Sequence, residues 1–567
     1  MKIINELPPV AKNEELVCLD VETFYKKEHR AHRPEGAFAC LSITYGNGDV
    51  YQIYDENQIA PALKNLESGT WVFHNALYDL RQLKRYAKIK PRFIWDTMLV
   101  DQSMYGGLYV HFSLPALCRR WLGKVMKKET RDEFLNGTHM TSEMKRYAAG
   151  DVVDTLEIAI LQRDRFLSDF AFRAYTEVDE PSIWPLLDMK GICVDVPGWK
   201  QMTEEFTKKA LGIQEELGVN VMSAAQVKSK AKDFGYVLQS TGKDVLSELD
   251  HPFFRKVEEA RMYRKASSTY GEKWLQNVEE DGRVYSSYRI TGALTGRMSS
   301  ADPNMQNIPA RKLPIYRSRF VASPGNVIMV SDVSQQEPRI LAYESQDPVL
   351  INAIKAGEDL HMTVAKSIYG EFGKEDKEYD AKRSVGKTIN LGTSYGLSEY
   401  GLSTKLKITK EEAERLLNQY FTRFRGVFGW ISTKRMEARD KGYVTTAIGR
   451  KVFINPYTGY HADNQAINAP IQGGAADFTK VWLRRIWDLC RRKKIDFPVV
   501  AIVHDEIVCE VPKGIRKQFE TEVLMKAFDE TAKLLYKGIP FAAETVSGPN
   551  WGVKQFHDEA YGDDDEE

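Results

Sequence analysis

An apolar run, Val499-Val500-Ala501-Ile502-Val503, is cut by His504-Asp505-Glu506 and resumes as Ile507-Val508-Cys509-Glu510-Val511. Two strand-length runs flanking a polar tripeptide predict a hairpin. Adjacent carboxylates at its tip repel unless a cation sits between them, so the turn is expected to hold metal. A second run, Val327-Ile328-Met329-Val330, ends in Ser331-Asp332, followed by Ser334, Gln335, Glu337 and Arg339 and an apolar helical stretch from Ile340. An aspartate at a strand end and another on a neighbouring hairpin can share two hard divalent ions, with phosphate oxygens and water completing the shell. The expected ion is Mg²⁺, two per site, with Mn²⁺ as a substitute.

Between these runs, Asp380 to Tyr395 has helical character, with Arg383, Lys387, Leu391 and Tyr395 spaced four apart. That spacing predicts two cations, an aliphatic and an aromatic residue on one face, an order suited to gripping a triphosphate and covering a base.

The first third reads as α/β with a small mixed sheet: Leu16 to Leu19, Phe38 to Tyr45 and Trp71-Val72-Phe73, followed by helical periodicity. Asp20 and Glu22, two apart on the first run, share a face. Asp79 follows the third run, and Tyr147 precedes Asp151 by one helical turn. Four acids plus a tyrosine to orient water meet the needs of two-metal phosphodiester hydrolysis.

With these residues in view, the chain resembles family A DNA polymerases. Asp332-Val333-Ser334-Gln335-Gln336-Glu337-Pro338-Arg339 is similar to the family's first motif, Arg383 through Tyr395-Gly396 to its second, and His504-Asp505-Glu506 to its third. Thr295-Gly296-Arg297, Asn304-Met305-Gln306, Asn468 to Gln472 and Asn550-Trp551 extend the match, and the first third resembles a proofreading 3′–5′ exonuclease of the DEDD type.

The resemblance implies roles. Asp332 and Asp505 would be metal ligands. Glu506 would be an auxiliary carboxylate, with a buried structural acid as the alternative. Arg383, Lys387, Leu391, Tyr395, Gln335, Glu337 and His361 would surround the dNTP, with Glu337 crowding C2′ of the sugar and Lys387 donating a proton to pyrophosphate. Arg297, Asn304, Gln306, Asn468 and Gln472 would touch primer-template, as would Arg261 and Lys265, for which a cationic surface helix is the alternative. His504 fits either a primer contact or a packed structural role. Asp20, Glu22, Asp79, Asp151 and Tyr147 would form the exonuclease site. Departures from the family stand at Leu391, where Phe or Tyr is common, and at Pro338 and Asn464.

The expected architecture is an RNase H-like exonuclease domain over residues 1–165, then a right-hand polymerase over 166–567, with thumb near 197–285, fingers near 346–430 and a palm from the flanking pieces. The family's separate 5′ nuclease is expected to be absent. The compact form suggests a bacteriophage replicative enzyme, a host or organellar repair enzyme being the alternative, with a helicase or single-strand-binding protein as further partners.

At 567 residues the chain suits several domains. Its net charge of zero means that DNA binding requires local basic clusters, offered by Lys124 to Lys128, Arg255 to Lys265 and Arg491 to Lys494, though each also suits a solvated face. The six cysteines have no paired spacing and suit buried reduced thiols. No membrane-length apolar run or signal peptide is evident, so a cytoplasmic monomer is expected, its acidic tail Asp563 to Glu567 disordered.

Overall fold

The computed structural model describes residues 2–26, 36–126, 129–310 and 313–554. Lys127, Lys128 and the acidic tail lie outside the described residues. The first third builds a six-stranded mixed sheet in the order Lys2–Ile4, Asp49–Ile53, Ala37–Thr44, Leu16–Phe24, Thr70–Phe73, Phe93–Asp96. Leu16–Phe24 lies antiparallel to Ala37–Thr44 and parallel to Thr70–Phe73. Its apolar start is buried, and from Asp20 onward burial alternates, which leaves one face of that strand end open for chemistry. The helix Ser142–Phe166 covers this face, started by Thr141, whose hydroxyl accepts from the Met144 N–H at 3.1 Å.

A four-stranded antiparallel sheet in the order Val499–Val503, Glu506–Pro512, Asn326–Val333, Ala543–Gly548 forms the centre of the remaining chain. The apolar runs read as strands are these strands, buried because helices cover them; the longest is Tyr460–Lys493. The helices Val196–Leu217 and Pro252–Thr269 pair in the segment expected as thumb, and Leu360–Tyr369, Tyr379–Thr393 and Lys410–Arg423 pack together in the segment expected as fingers.

The apolar core runs unbroken from Trp71 and Trp95 in the first sheet through Ile183 and Trp487 to Ile340 and Ile389. Polar contacts reinforce this seam. Tyr175 donates to the Ile94 carbonyl at 2.8 Å and accepts from the Asp96 N–H at 2.8 Å. Nearby, fully buried Asp179 meets Arg450 and Lys480. The Phe453 N–H donates to the Gly106 carbonyl at 2.7 Å, and Gly107, at φ +88°, lies so close that a Cβ would come within 2.3 Å of the Phe453 oxygen.

Within the basic clusters, Lys124 pairs with Asp154 and Glu157 at 2.8 and 3.0 Å, Arg255 with Asp250 at 2.5 Å, and Lys493 with Glu522 at 2.5 Å. These are acid-paired surface cations of the solvated-face kind. All six cysteines are free thiols, five of them buried. No helix among the described residues is long and apolar enough to cross a membrane.

Candidate active sites

The palm sheet sets Asp332 directly across from Glu506 on one side and Glu544 on the other. The hairpin turns through His504, whose φ of +58° is the left-handed conformation a tight reversal uses, and this presents Asp505 beside the end of the Asp332 strand. Burial, and then the Asp332 charge, push the Asp505 carboxyl up to about 6. Two facing carboxylates whose charges oppose each other are a donor set that a hard divalent cation relieves, so the residues present fit such an ion. Lys554 also reaches this cluster, donating to Asp332 Oδ2 and standing 3.8 Å from Glu544.

Glu506 is held among polar partners. It is buried, both its oxygens accept from Arg317 Nη1 at 3.0 and 3.1 Å, and Trp551 Nε1 donates to it at 2.8 Å. It anchors the hairpin, and the structural alternative fits it. The His504 imidazole is lowered by burial and then by nearby Arg297 and Arg317.

On the other wall, Gln335 begins the helix Gln336–Ser345 in a left-handed conformation, and its buried Oε1 has no hydrogen-bond partner among the described residues. Glu337, in the first turn, joins the polar wall: Arg297 Nη2 lies 2.8 Å from its Oε1, and the Tyr395 hydroxyl donates to Oε2 at 2.9 Å. Gln472 also hydrogen-bonds Tyr395, and Asn468 Nδ2 donates to the Ser394 carbonyl at 3.3 Å.

Arg383, Lys387 and Leu391 lie on the helix Tyr379–Thr393 with the expected spacing. Tyr395 does not, because the helix ends at Thr393 and the chain turns through Gly396 at φ +68°. Arg383 is paired with Asp359, Nε to Oδ2 2.7 Å, while Lys387 is exposed. His361 sits behind them, its Nδ1 3.1 Å from Asn390 Nδ2, and its imidazole is lowered by burial with help from Arg383 and Lys387.

Of the residues expected on primer-template, Arg261 is tied into its own segment. Its Nε donates to the Val221 carbonyl at 2.6 Å and its Nη1 to the Thr241 carbonyl at 2.5 Å. That geometry engages the guanidinium in holding two loops, a role that neither the DNA-contact expectation nor the cationic-surface alternative named. Lys265 is exposed. Asn304 caps a short turn by accepting from the Gln306 N–H at 3.0 Å, and Gln306 reaches the Met298 carbonyl at 3.3 Å.

In the first domain, Asp20 and Glu22 point to one side of their strand, with Val21 buried between them. Asp79, on the helix Ala76–Leu83, is fixed to this strand by accepting the Val21 N–H at 2.9 Å, and its carboxyl is raised well above the ordinary range by burial and by Asp20. Asp151 hydrogen-bonds Tyr147, whose phenol is raised by burial, then by Asp151 and Glu22. The Cys18 thiol beneath is raised by burial and by Asp20, Asp79 and Asp151 together, so these acids converge. Among the described residues no three ligating side chains already close on one point, and the fit to cations rests on these facing charges.

Sequence reasoning missed Asp96, which accepts from the Asn75 and Ala76 N–H groups at 3.1 and 2.8 Å and so aims the segment leading to Asp79. It also missed Asp359, Arg317 and Lys554. Asp359 carries a readable signal, as the N-cap of Leu360–Tyr369; the other two are paired only by the fold.

Comparisons with known proteins accord with these two sites. The DNA polymerase family A profile matches residues 199–553, and a 3′–5′ exonuclease profile matches residues 6–162. DNA polymerase I of Aquifex aeolicus is 30% identical over 546 residues, covering 89% of this chain and 92% of the relative. DNA polymerase I of Pseudomonas aeruginosa is 28% identical over 592 residues, covering 95% of this chain but 63% of the relative, and the chain spans about half of several others, 52% for that of Rhizobium leguminosarum. A solved structure described as the POL domain of Pol1 from M. smegmatis in complex with DNA primer-template and dNTP matches with a TM-score of 0.80 at 26% identity, covering 95% of each chain. These relatives are bacterial and lend no support to a phage origin. The chain therefore belongs to DNA polymerase family A, with a 3′–5′ exonuclease domain ahead of its polymerase domain.

Proposed function

We propose that this enzyme extends a DNA primer 3′ end on a template and trims mispaired ends with a second site, Asp332 and Asp505 serving synthesis and Asp20, Glu22, Asp79 and Asp151 serving excision. The observation that carries the reading is the opposed pair Asp332 and Asp505 with Arg297 beside Asp505, the same arginine that joins Glu337, which Tyr395 just past the Arg383–Lys387 helix also meets. Mg²⁺, or Mn²⁺ in its place, would be held by these acids and would activate the primer 3′-hydroxyl or a water while neutralising charge on the phosphate.

The remaining work falls to side chains. Arg383 exchanges Asp359 for the triphosphate, and Lys387 offers an ammonium to the same group and a proton to pyrophosphate. The half-exposed Tyr395 ring gives the template base a stacking face worth roughly 1–3 kcal/mol. Glu337, held by Arg297 and Tyr395, stands where a ribose 2′-hydroxyl would crowd it. In the exonuclease site Tyr147, bonded to Asp151, orients the attacking water. Primer-template DNA and dNTPs are then the ligands, and a replicative role would bring a helicase or single-strand-binding protein beside it.

The test is a labelled primer-template incubated with Mg²⁺, with and without dNTPs. Lengthening with dNTPs and shortening without them is expected; shortening alone under both conditions would reduce the protein to a nuclease, and binding alone to a scaffold.

A further inference from the structure

The short strands Ser287–Arg289 and Ser299–Ala301 form a hairpin whose tip carries Arg297, the residue that ties this hairpin to Glu337. The tip is closed by its own backbone, Gly292 and Ala293 N–H groups donating to the Arg297 carbonyl at 2.9 and 3.1 Å. Its outer supports come from the first domain. Thr291 Oγ1 donates to Gln102 Oε1, on the helix Thr97–Met104, and the Leu294 carbonyl lies against Gly106 so closely that a Cβ there would stand 3.0 Å away.

A second support runs through buried charge. Gly296, at φ +82°, lays its backbone on Arg450, where a Cβ would be 2.8 Å from Nε. Arg450 forks onto Asp179 at 2.8 and 2.9 Å, and Ser103 Oγ donates to Asp179 Oδ2 at 2.5 Å. Both supports of the hairpin tip thus end on neighbouring residues of one exonuclease-domain helix.

We propose that Gln102 and Ser103 are positioning residues for nucleotide selection by the polymerase site, holding the hairpin tip so that Arg297 keeps Glu337 against the sugar. This rests on the reading of Glu337 as the residue that crowds C2′. A misplacement of about 1 Å in a positioned group is enough to change rates by up to about 10², so loss of either support reaches the sugar without altering any residue that touches it.

The experiment uses the full-length chain with Asp79→Asn, so that excision does not distort incorporation. Single-nucleotide kcat/KM is measured for a dNTP and its rNTP with Gln102→Leu, Gln102→Glu, Ser103→Ala and Thr291→Val. Gln102→Leu and Thr291→Val are expected to raise KM for the dNTP and to narrow the dNTP/rNTP ratio by about threefold or more at unchanged Tm, while Gln102→Glu, which keeps an acceptor, restores the ratio. Placed on Glu337→Ala, Gln102→Leu should narrow the ratio no further, because it acts through that carboxylate. An unchanged ratio in the Gln102→Leu, Ser103→Ala and Thr291→Val proteins, or full additivity with Glu337→Ala, overturns the proposal. Failure of the unsubstituted protein to extend a primer, or an unchanged ratio in Glu337→Ala alone, would instead remove the functional reading beneath it.

Discussion

Lys554 donates to the Oδ2 of Asp332, so the carboxylate best placed to hold metal already has a tethered cation. An incoming ion must displace the ammonium. Lys554→Met is therefore expected to tighten Mn²⁺ binding to the DNA-free protein by up to about fivefold, the equivalent of an ion pair worth ~1 kcal/mol. Calorimetric titration reads this directly, and equal affinities would mean that the lysine withdraws at no cost.

On the proposed assignment the two sites use separate acids, so their losses should separate. Asp505→Ala is expected to abolish nucleotide addition and leave shortening intact. Asp79→Asn is expected to do the reverse and raise the error rate; asparagine keeps an oxygen for the Val21 N–H, so the fold is spared. Synthesis at full rate by the Asp505 variant would sink the assignment.

Glu337→Ala should admit ribonucleotides, relaxing the dNTP/rNTP ratio by up to about 10². It also releases Arg297 and the Tyr395 hydroxyl. The check is kcat/KM for each substrate.

Leu391 stands on the Arg383–Lys387 face where a tyrosine could stand in for a missing 3′-hydroxyl. With leucine there, dideoxynucleotides should be used poorly, since sites built around a substrate hydroxyl reject analogues lacking it by up to roughly 10⁴–10⁵. Leu391→Tyr should improve them markedly. Incorporation kinetics on the Asp79→Asn background decide the matter, near-equal use by the leucine enzyme being the contrary result.

Burial alone would raise the Asp179 carboxyl, yet Arg450 and Lys480 hold it at about 2, below its ordinary 3.8. A depressed carboxyl contributes stability that is present above about pH 4 and lost as pH falls through 2. Asp179→Asn should remove about 3–5 kcal/mol, because it leaves buried cations uncompensated. Its denaturant-unfolding stability should also depend less on pH across that window; identical profiles would show the carboxylate to be idle.

The strand-end acids were legible because a charge interrupting an apolar run has few structural uses, and Asp20 with Glu22 because strand alternation fixes their shared side. Periodicity names a face, however, and never the partner across it. Glu506 reads as an auxiliary carboxylate or a structural acid, and only the fold shows Arg317, 189 residues away, and Trp551 donating to it. Arg261 reads as a DNA grip only through the family resemblance, and its guanidinium closes on carbonyls that only the folded loops bring near. Tyr395 was readable and misread: Gly396, a helix-ending residue, already placed the tyrosine past the last turn.

At Gly106 and Gly107 the backbones of the two domains touch with no room for a side chain. The domains are consequently not interchangeable parts. An exonuclease domain grafted from a relative would dock only if it brought a glycine to the position facing the Phe453 carbonyl, so the seam filters which recombinants between such enzymes can survive, independently of how well either active site works.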